Sequence, residues 1–126
     1  MSPSGDREQE IMGGMGSKQS TITSERRNDM ANGYWIVRVS VRNSERYPDY
    51  LAAARSAFEK YGARFLVRGG RFDAMEGSSR ERNVVVEFKD YATAVACYRS
   101  AEYQIAKAIR NANADADLVI VEGHAA

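Results

Sequence analysis

The distribution of aromatic side chains constrains this chain of 126 residues more than any other feature. Its one Trp, seven Tyr and four Phe all lie from Tyr34 onward. Residues 1–32 are instead rich in Ser, Gly and charged side chains. Such a segment cannot bury enough apolar surface to offset the entropy lost on ordering. We therefore predict a disordered N-terminal tail, or an extension of the gene model, over residues 1–32 and a single domain over residues 33–126.

Hydrophobic periodicity predicts both strands and helices in this domain. Alternating apolar residues indicate strands at 34–41, 63–67, 82–88 and 117–123. Apolar residues at helical spacing indicate three helices between them. The first follows a cap at Asn43 or Ser44, with Pro48 in its first turn, and stops at Gly62; the second is capped by Asp90; a shorter third is capped by Ser100.

The segment between the second and third strands contains two adjacent glycines. Gly69 and Gly70 predict a bulge or a close backbone approach at the sheet edge. Residues 72–76 are expected to continue the extended chain, and residues 77–81 to form the hairpin loop. The Arg-Gly-Gly triplet here occurs once, so it does not indicate RNA binding.

The predicted order of elements is that of the ferredoxin-like βαββαβ fold. In this α+β architecture a four-stranded antiparallel sheet carries its helices on one face. The other face has no cover within the chain, and a bare sheet face is costly for a domain this small. Two sheets that pair face to face in a symmetric homodimer, a dimeric α+β barrel, solve this problem. We therefore predict a homodimer.

Composition excludes several classes of function. The chain has 18 Lys and Arg against 17 Asp and Glu, a net charge of +1, so it lacks the positive field expected for nucleic-acid or anionic-membrane binding. One Cys and one His offer no disulfide framework and little for a metal site, and no cofactor-binding motif is present, so we expect neither metal nor cofactor. No secretory or membrane-spanning run is found, and a cytoplasmic location is expected.

Several segments resemble a known family. They are GYWIVRV at 33–39, RFLVRGG at 64–70, RNVVVEF at 82–88, YRSAEYQ at 98–104 and DLVIVEG at 117–123. In order and spacing they are similar to the bacterial family called domain of unknown function 1330, within the dimeric α+β barrel superfamily. The resemblance implies a ferredoxin-like homodimer without an established activity. The superfamily includes cofactor-free monooxygenases, isomerases, haem-dependent chlorite dismutases and non-enzymatic binders, so the resemblance leaves the function open.

Four charged residues lie on the four predicted strands: Arg38, Arg68, Glu87 and Glu122. In the ferredoxin-like strand order we expect Arg38 beside Glu87 and Glu122, and Arg68 on the far side of Glu87. A carboxylate with a pKa shifted by burial and by its neighbours can act as a general base. We treat the four as candidate catalytic residues, with a Glu as base and an Arg as anion stabiliser. The alternative is an ion-pair lattice that only holds the dimer together.

A second candidate set consists of Tyr50, Tyr98, Tyr103 and Arg110 on the predicted helices. Phenol hydroxyls and a guanidinium in a cleft between helices and sheet orient an aromatic or carbonyl compound. The alternative is that the aromatics are core residues. His124 is interpreted as a surface residue and Cys97 as an inert buried thiol.

These features lead to two hypotheses. In the first, a small cytoplasmic homodimer binds a small organic molecule in each protomer, either as a binding protein or as a cofactor-independent enzyme with acid-base or monooxygenase- or isomerase-like chemistry. In the second, the protein is a non-catalytic dimeric module whose charged sheet face serves assembly alone. Open space beside Glu87 and Tyr103 favours the first, and a closed, fully paired surface favours the second.

Overall fold

The computed structural model describes residues 31–125, so the predicted tail lies almost entirely outside the described part. Residues 31–124 form one compact unit. Its strands are β1 (Gly33–Val41), β2 (Arg64–Arg68), β3 (Arg82–Phe88) and β4 (Ala114–Glu122). Its helices are α1 (Tyr47–Lys60), α2 (Tyr91–Arg99) and α3 (Ala101–Asn113). Within residues 31–125, every helix is too short or too polar to span a bilayer.

The four strands form one antiparallel sheet in the order β2-β3-β1-β4. This order and the three helices confirm the predicted α+β, ferredoxin-like fold. Strand β4 starts at Ala114, three positions before the predicted start, because α3 passes into it without a loop. The start of β1 is held at Asn32, whose carbonyl accepts from Gly123 N at 2.7 Å.

The core lies between the helices and one face of the sheet, which we call the covered face. Trp35 stands at its centre and is 1% exposed. Its ring meets Phe58, Phe88 and Tyr103 at centroid distances of 4.8–5.5 Å, and its Nε1 donates to Ala94 O at 2.9 Å. A buried Trp whose N–H has a partner contributes its full apolar area to the core. Trp35 therefore joins α1, α2 and α3 to the sheet.

The helix ends match the predicted signals, with one exception. The carboxylate of Asp90 accepts from Thr93 N at 2.7 Å, and Ser100 Oγ accepts from Tyr103 N at 3.1 Å, so both predicted caps are confirmed. The prediction of a cap at Asn43 or Ser44 is wrong. The N-cap of α1 is Arg46, which makes no side-chain cap bond.

The C-terminal end of α1 and its first turn also follow from the sequence. Pro48 lies in the first turn, where its missing N–H costs nothing. Gly62 follows the helix with φ of 69°, the left-handed conformation that glycine adopts at a helix end. The predicted stop is confirmed.

Strand β2 contains a bulge, but it lies at Leu66 and not at Gly69 and Gly70, where it was predicted. Phe65 pairs with Val86 and Val67 pairs with Val85, so Leu66 is the extra residue. Gly69 then takes φ of 71° while its N–H donates to Asn83 O at 2.8 Å. The expected extended segment at residues 72–76 is wrong, because residues 69–81 form a long irregular loop without strand pairing.

The other face of the sheet, the open face, carries none of the helices formed by residues 31–125. Four side chains at neighbouring register positions form an apolar row across it, which we call the open-face band: Val67, Val85, Ile36 and Val119. Val119 on the edge strand β4 is 54% exposed, and Ile36 is 39% exposed although it lies on the central strand β1.

Candidate functional site

A cavity lies under α1 against the covered face, and we call it the inner cavity. Aromatic rings provide much of its wall: Trp35, Tyr47, Tyr50, Phe58 and Phe65. Its volume is about 30 Å³, enough for roughly two water molecules, since one needs about 10–15 Å³ on this measure. A larger ligand therefore needs space beyond this cavity.

That space lies next to it, in an outer groove of about 390 Å³ between α1 and β2. The groove and the inner cavity share four lining residues: Leu51, Phe58, Phe65 and Arg68. Arg68 is exposed, and its guanidinium lies 4.2 Å from the centre of the Phe65 ring. Arg68 and Phe65 thus stand at the boundary between groove and cavity.

A second arginine, Arg82, lines the inner cavity. Its guanidinium lies 5.8 Å from the centre of the Tyr47 ring, and its Nε is buried without a hydrogen-bond partner among the described residues. Neither Arg68 nor Arg82 pairs with a carboxylate of residues 31–125. The wall of the cavity therefore carries positive charge that this part of the chain does not neutralise.

Local backbone geometry places both arginines there. Arg64 pairs with Glu87 on the open face, and strict alternation along β2 would place Arg68 on that face as well. Because Leu66 is an extra residue, Arg68 instead pairs with Val84 and lies on the covered face. Gly69 packs directly against Arg82, and a Cβ at position 69 would collide with the guanidinium. The bulge and the glycine are thus both used to bring cationic groups to the cavity.

Behind the cavity wall lies a hydrogen-bonded chain of three predicted ligand-binding residues. Arg110 Nη1 donates to Tyr103 Oη at 2.8 Å, and Tyr103 Oη lies 2.8 Å from Tyr50 Oη. Tyr103 is fully buried and Arg110 is 5% exposed, so a guanidinium charge is held inside the core. Tyr50 alone of the three lines the cavity.

Two buried tyrosines, Tyr103 and Tyr47, have a raised pKa. Burial, followed by the neighbouring Tyr50, raises the pKa of Tyr103 far above its usual range, and the Arg110 charge offsets only part of this rise. Burial likewise raises the pKa of Tyr47, against the lowering influence of Arg82 and Arg110. These phenols therefore act as neutral hydrogen-bonding groups near pH 7 rather than as bases.

The fourth member of that predicted set lies elsewhere. Tyr98 packs on the Tyr103 ring at 5.6 Å, but its hydroxyl accepts from Lys107 Nζ at 3.4 Å and it does not line the cavity. Cys97 is fully buried, and burial raises its thiol pKa to about 12, which agrees with an inert thiol. His124 is exposed just after β4.

The expected arrangement of the charged set is wrong. Arg38 lies opposite Asn83 and Asp117, and not opposite Glu87 or Glu122. Its guanidinium donates to Ser78 O at 2.9 Å in the long loop. The antiparallel register places it four positions from Tyr34, the residue that faces Glu87.

The two glutamates also differ from expectation. Glu87 lies on the open face, where it accepts from Tyr34 Oη at 3.1 Å and pairs with Arg64 at 3.7 Å. Glu122 pairs with Gly33, a position of the covered face, and is exposed at the end of the sheet. With Arg68 on the covered face as well, the four charged residues do not form one cluster.

Sequence reasoning missed three residues of these surfaces. Arg82 shares its strand face with Val84 and Val86, and this alternation alone was enough to place it toward the helices. Tyr47 was visible as part of the apolar stripe of α1. The pairing of Arg64 with Glu87 depends on the register of β2 against β3, which no signal in one strand reveals.

Among residues 31–125, no cluster of three or more His, Cys, Asp or Glu side chains could hold a metal ion. The lining of the inner cavity consists of aromatic and aliphatic side chains together with phenol hydroxyls and guanidinium groups.

Comparison with solved structures supports the fold. A protein of unknown function from Rhodopseudomonas palustris matches with a TM-score of 0.62 and 17% identity, over 85% of this chain and 93% of that one. SnoaB from Streptomyces nogalater, a cofactor-independent oxygenase, matches with a TM-score of 0.52 and 8% identity, over 75% and 94%. A candidate antibiotic biosynthesis monooxygenase from Caulobacter crescentus gives 0.53 and 10%, over 82% and 97%. At these identities the likeness concerns the fold alone.

Comparison by sequence places the chain in a family. No curated protein matches it at a significant level. The model of the family described as Domain of unknown function (DUF1330) matches residues 32–124, nearly the whole of the described part. The chain therefore belongs to the DUF1330 family.

Proposed function

We propose that the protein is a homodimer in which each protomer binds a small organic molecule between α1 and the sheet. One observation carries the binding proposal: the inner cavity and the outer groove share a wall, and that wall combines aromatic rings with cationic groups. Ligand sites usually occupy about 300–1,000 Å³ and combine apolar walls with a few placed polar groups. The groove alone is of this size.

The homodimer is supported by the open face. The open-face band is a continuous apolar row, and charged pairs flank it on both sides: Arg64 with Glu87, and Arg80 with Asp117. An apolar centre inside a polar rim is the usual composition of a protein interface. A second copy of the chain presents the same surface, so two open faces complement each other about a twofold axis.

Catalysis without a cofactor is a second candidate, favoured by the Arg110–Tyr103–Tyr50 chain. If Tyr103 donates to Tyr50, the Tyr50 proton is free to reach a ligand oxygen in the cavity, and the Arg110 charge strengthens that donor. SnoaB, which shares the fold, is a cofactor-independent oxygenase. Tyr50→Phe is expected to abolish turnover of a bound compound while binding persists, measured by product formation in mass spectrometry.

The competing hypothesis is an assembly module without a ligand. It is favoured by the open-face charges, since Glu87 is already satisfied within the protomer by Arg64 and Tyr34. In that case blocking the cavity has no effect on any property except stability. A cytoplasmic location remains a prediction, which fractionation of cells checks.

The binding proposal is tested by thermal shift against a library of metabolites and aromatic compounds. A compound present at about 100 times its Kd adds about 2.7 kcal/mol of stability. Val84→Phe places a ring in the inner cavity, while Val85→Phe makes the same change on the open face of the same strand. We expect hits on the wild type and on Val85→Phe, and their loss in Val84→Phe. If Val84→Phe does not fold, Val84→Ile is used in its place.

Two results contradict the proposal. If no compound of the library raises the melting temperature of the folded wild type, the proposal of a ligand is contradicted. Equal binding by the Val84 and Val85 variants shows that the ligand occupies some other surface.

A further inference from the structure

We infer that the ligand is an organic acid, an apolar or aromatic body with one carboxylate, and that Arg82 and Arg68 recognise the carboxylate. This inference rests on the proposed function and names the chemical class of its ligand.

The first support is the state of Arg82. Its Nε is buried and has no partner among residues 31–125, although a buried guanidinium N–H normally has one. The residue lines the inner cavity, so a ligand placed there is within reach. An Nε together with a neighbouring Nη forms a two-pronged donor that matches the two oxygens of a carboxylate.

The second support is the position of Arg68. The bulge at Leu66 turns this side chain toward the cavity, where it rests on the Phe65 ring at 4.2 Å and remains exposed. A guanidinium stacked on a ring keeps its N–H edge available for an anion. Because Arg68 lines both the groove and the cavity, it is placed to meet the acid group as the ligand enters.

The third support is the balance of charge. Of residues 31–125, those that line the inner cavity include two arginines and no Asp or Glu, and the others are aromatic or aliphatic. Glu59 lines only the outer groove, where Arg55 accompanies it. A positive, otherwise apolar wall favours a singly charged amphipathic ligand over a neutral one.

The test compares matched acid and amide probes, because the two differ in charge and hardly in shape. We choose benzoate with benzamide, 2-naphthoate with 2-naphthamide, and 4-phenylbenzoate with 4-phenylbenzamide. Affinities are measured by calorimetry on the full chain at pH 7 and moderate salt. For pairs that fit, we expect the acid to bind at least about tenfold more tightly than the amide.

Variants locate the origin of this preference. Arg82→Gln is expected to reduce the acid affinity to that of the amide and to leave the amide affinity unchanged, while Arg82→Lys retains part of the preference. Arg64→Gln removes the same charge from the open face and is the matched control, with no change in the acid-to-amide ratio. Circular dichroism verifies that each variant folds.

The outcomes separate this inference from the proposed function. Equal binding of acid and amide to the wild type overturns the organic acid as ligand. An acid preference that survives unchanged in folded Arg82→Gln overturns the recognition of the carboxylate by Arg82. Either result leaves a small-molecule site. If no member of any pair binds, both the inference and the choice of this cavity as the site are contradicted.

Discussion

The two faces of the sheet are built from alternate residues of the same strands and yet have opposite environments. On the covered face, Trp35 and Val86 are each 1% exposed. On the open face, the adjacent Ile36 is 39% exposed and Val119 is 54% exposed. Both faces are apolar at the centre, so composition does not distinguish them; the presence of helices does. This difference is the basis of the proposed homodimer, in which residues 31–125 cover one face with their own helices and a second copy covers the other.

The two faces also differ in whether their charged side chains are paired. On the covered side, the charged groups at the cavity are arginines without a carboxylate partner in the described residues. On the open side, arginines and carboxylates are paired at 2.8 and 3.7 Å. Paired charges suit a surface that must be buried against a copy of itself, whereas a surplus of one sign suits a site for an oppositely charged ligand.

The largest effect is expected from truncation at the centre of the covered face. Trp35→Ala removes a ring that contacts several aromatic residues and should lower the free energy of unfolding by about 3–5 kcal/mol. This loss is the same at all protein concentrations, as followed by urea denaturation. For Ile36→Ala, one position away, the loss should depend on protein concentration because it acts on association. The contrast between the two faces is contradicted if the stability loss of Trp35→Ala depends on protein concentration. It is equally contradicted if the stability loss of Ile36→Ala does not.

Next in size is the buried hydroxyl of Tyr103. Tyr103→Phe leaves Arg110 Nη1 without its acceptor and Tyr50 without its hydrogen-bond partner. The expected cost is about 1–3 kcal/mol, the penalty of unsatisfied buried polar groups. Tyr98→Phe is the control, because its half-buried hydroxyl has only a 3.4 Å contact with Lys107. Chemical denaturation should show a clearly smaller loss for the control; equal losses contradict a special role for the Arg110–Tyr103–Tyr50 chain.

A smaller effect is expected at the start of α2. Hydrogen bonds from the Thr93 side chain and backbone N–H hold the pKa of Asp90 below its ordinary value of 3.8. Because the folded-state pKa is depressed, this contribution is present above pH 4 and is lost as the pH falls through the folded pKa. Asp90→Ala should therefore cost about 1 kcal/mol at pH 7. In denaturation curves, the difference in unfolding free energy between Asp90→Ala and the wild type should become smaller below pH 4. A difference that does not change with pH contradicts this role of Asp90.

The smallest effect is expected from Asp117, a carboxylate on the open face. Arg80 holds the pKa of Asp117 below its usual value through a hydrogen bond at 2.8 Å, but the Asp117 side chain is 66% exposed. Solvent screens such a pair, so Asp117→Asn should hardly change the pH dependence of unfolding in the monomer. An effect as large as that of Asp90→Ala at low protein concentration would contradict the assignment of this pair to the rim of an interface.

The fold could be predicted from the sequence because its signals are local. The alternation in residues 34–41, the caps at Asp90 and Ser100, and the stop at Gly62 each act within a few residues. The cap of α1 was missed because the chain enters it through the backbone at Asn43, whose carbonyl accepts from Tyr47 N at 3.0 Å.

The candidate site was harder to predict because it depends on relations between strands. Which residues face Glu87 is decided by the register of β3 against β1 and β2. One extra residue at Leu66 changes the face on which Arg68 lies, and alternation within one strand does not reveal it. Tyr50, Tyr103 and Arg110 were predicted for a cleft between helices and sheet; they form a hydrogen-bonded chain, of which only Tyr50 lines the cavity.

The molar mass of the protein in solution tests the central distinction between the two faces most directly. By light scattering at micromolar concentration we expect the wild type at twice the chain mass of 14.0 kDa. Ile36→Glu, which buries a charge in the open-face band, should fall to 14.0 kDa while it stays folded. Ile105→Glu, at a site on α3 that is 64% exposed, should remain a dimer. A monomeric wild type, or a folded Ile36→Glu that stays dimeric, contradicts the open face as the surface that binds the second copy.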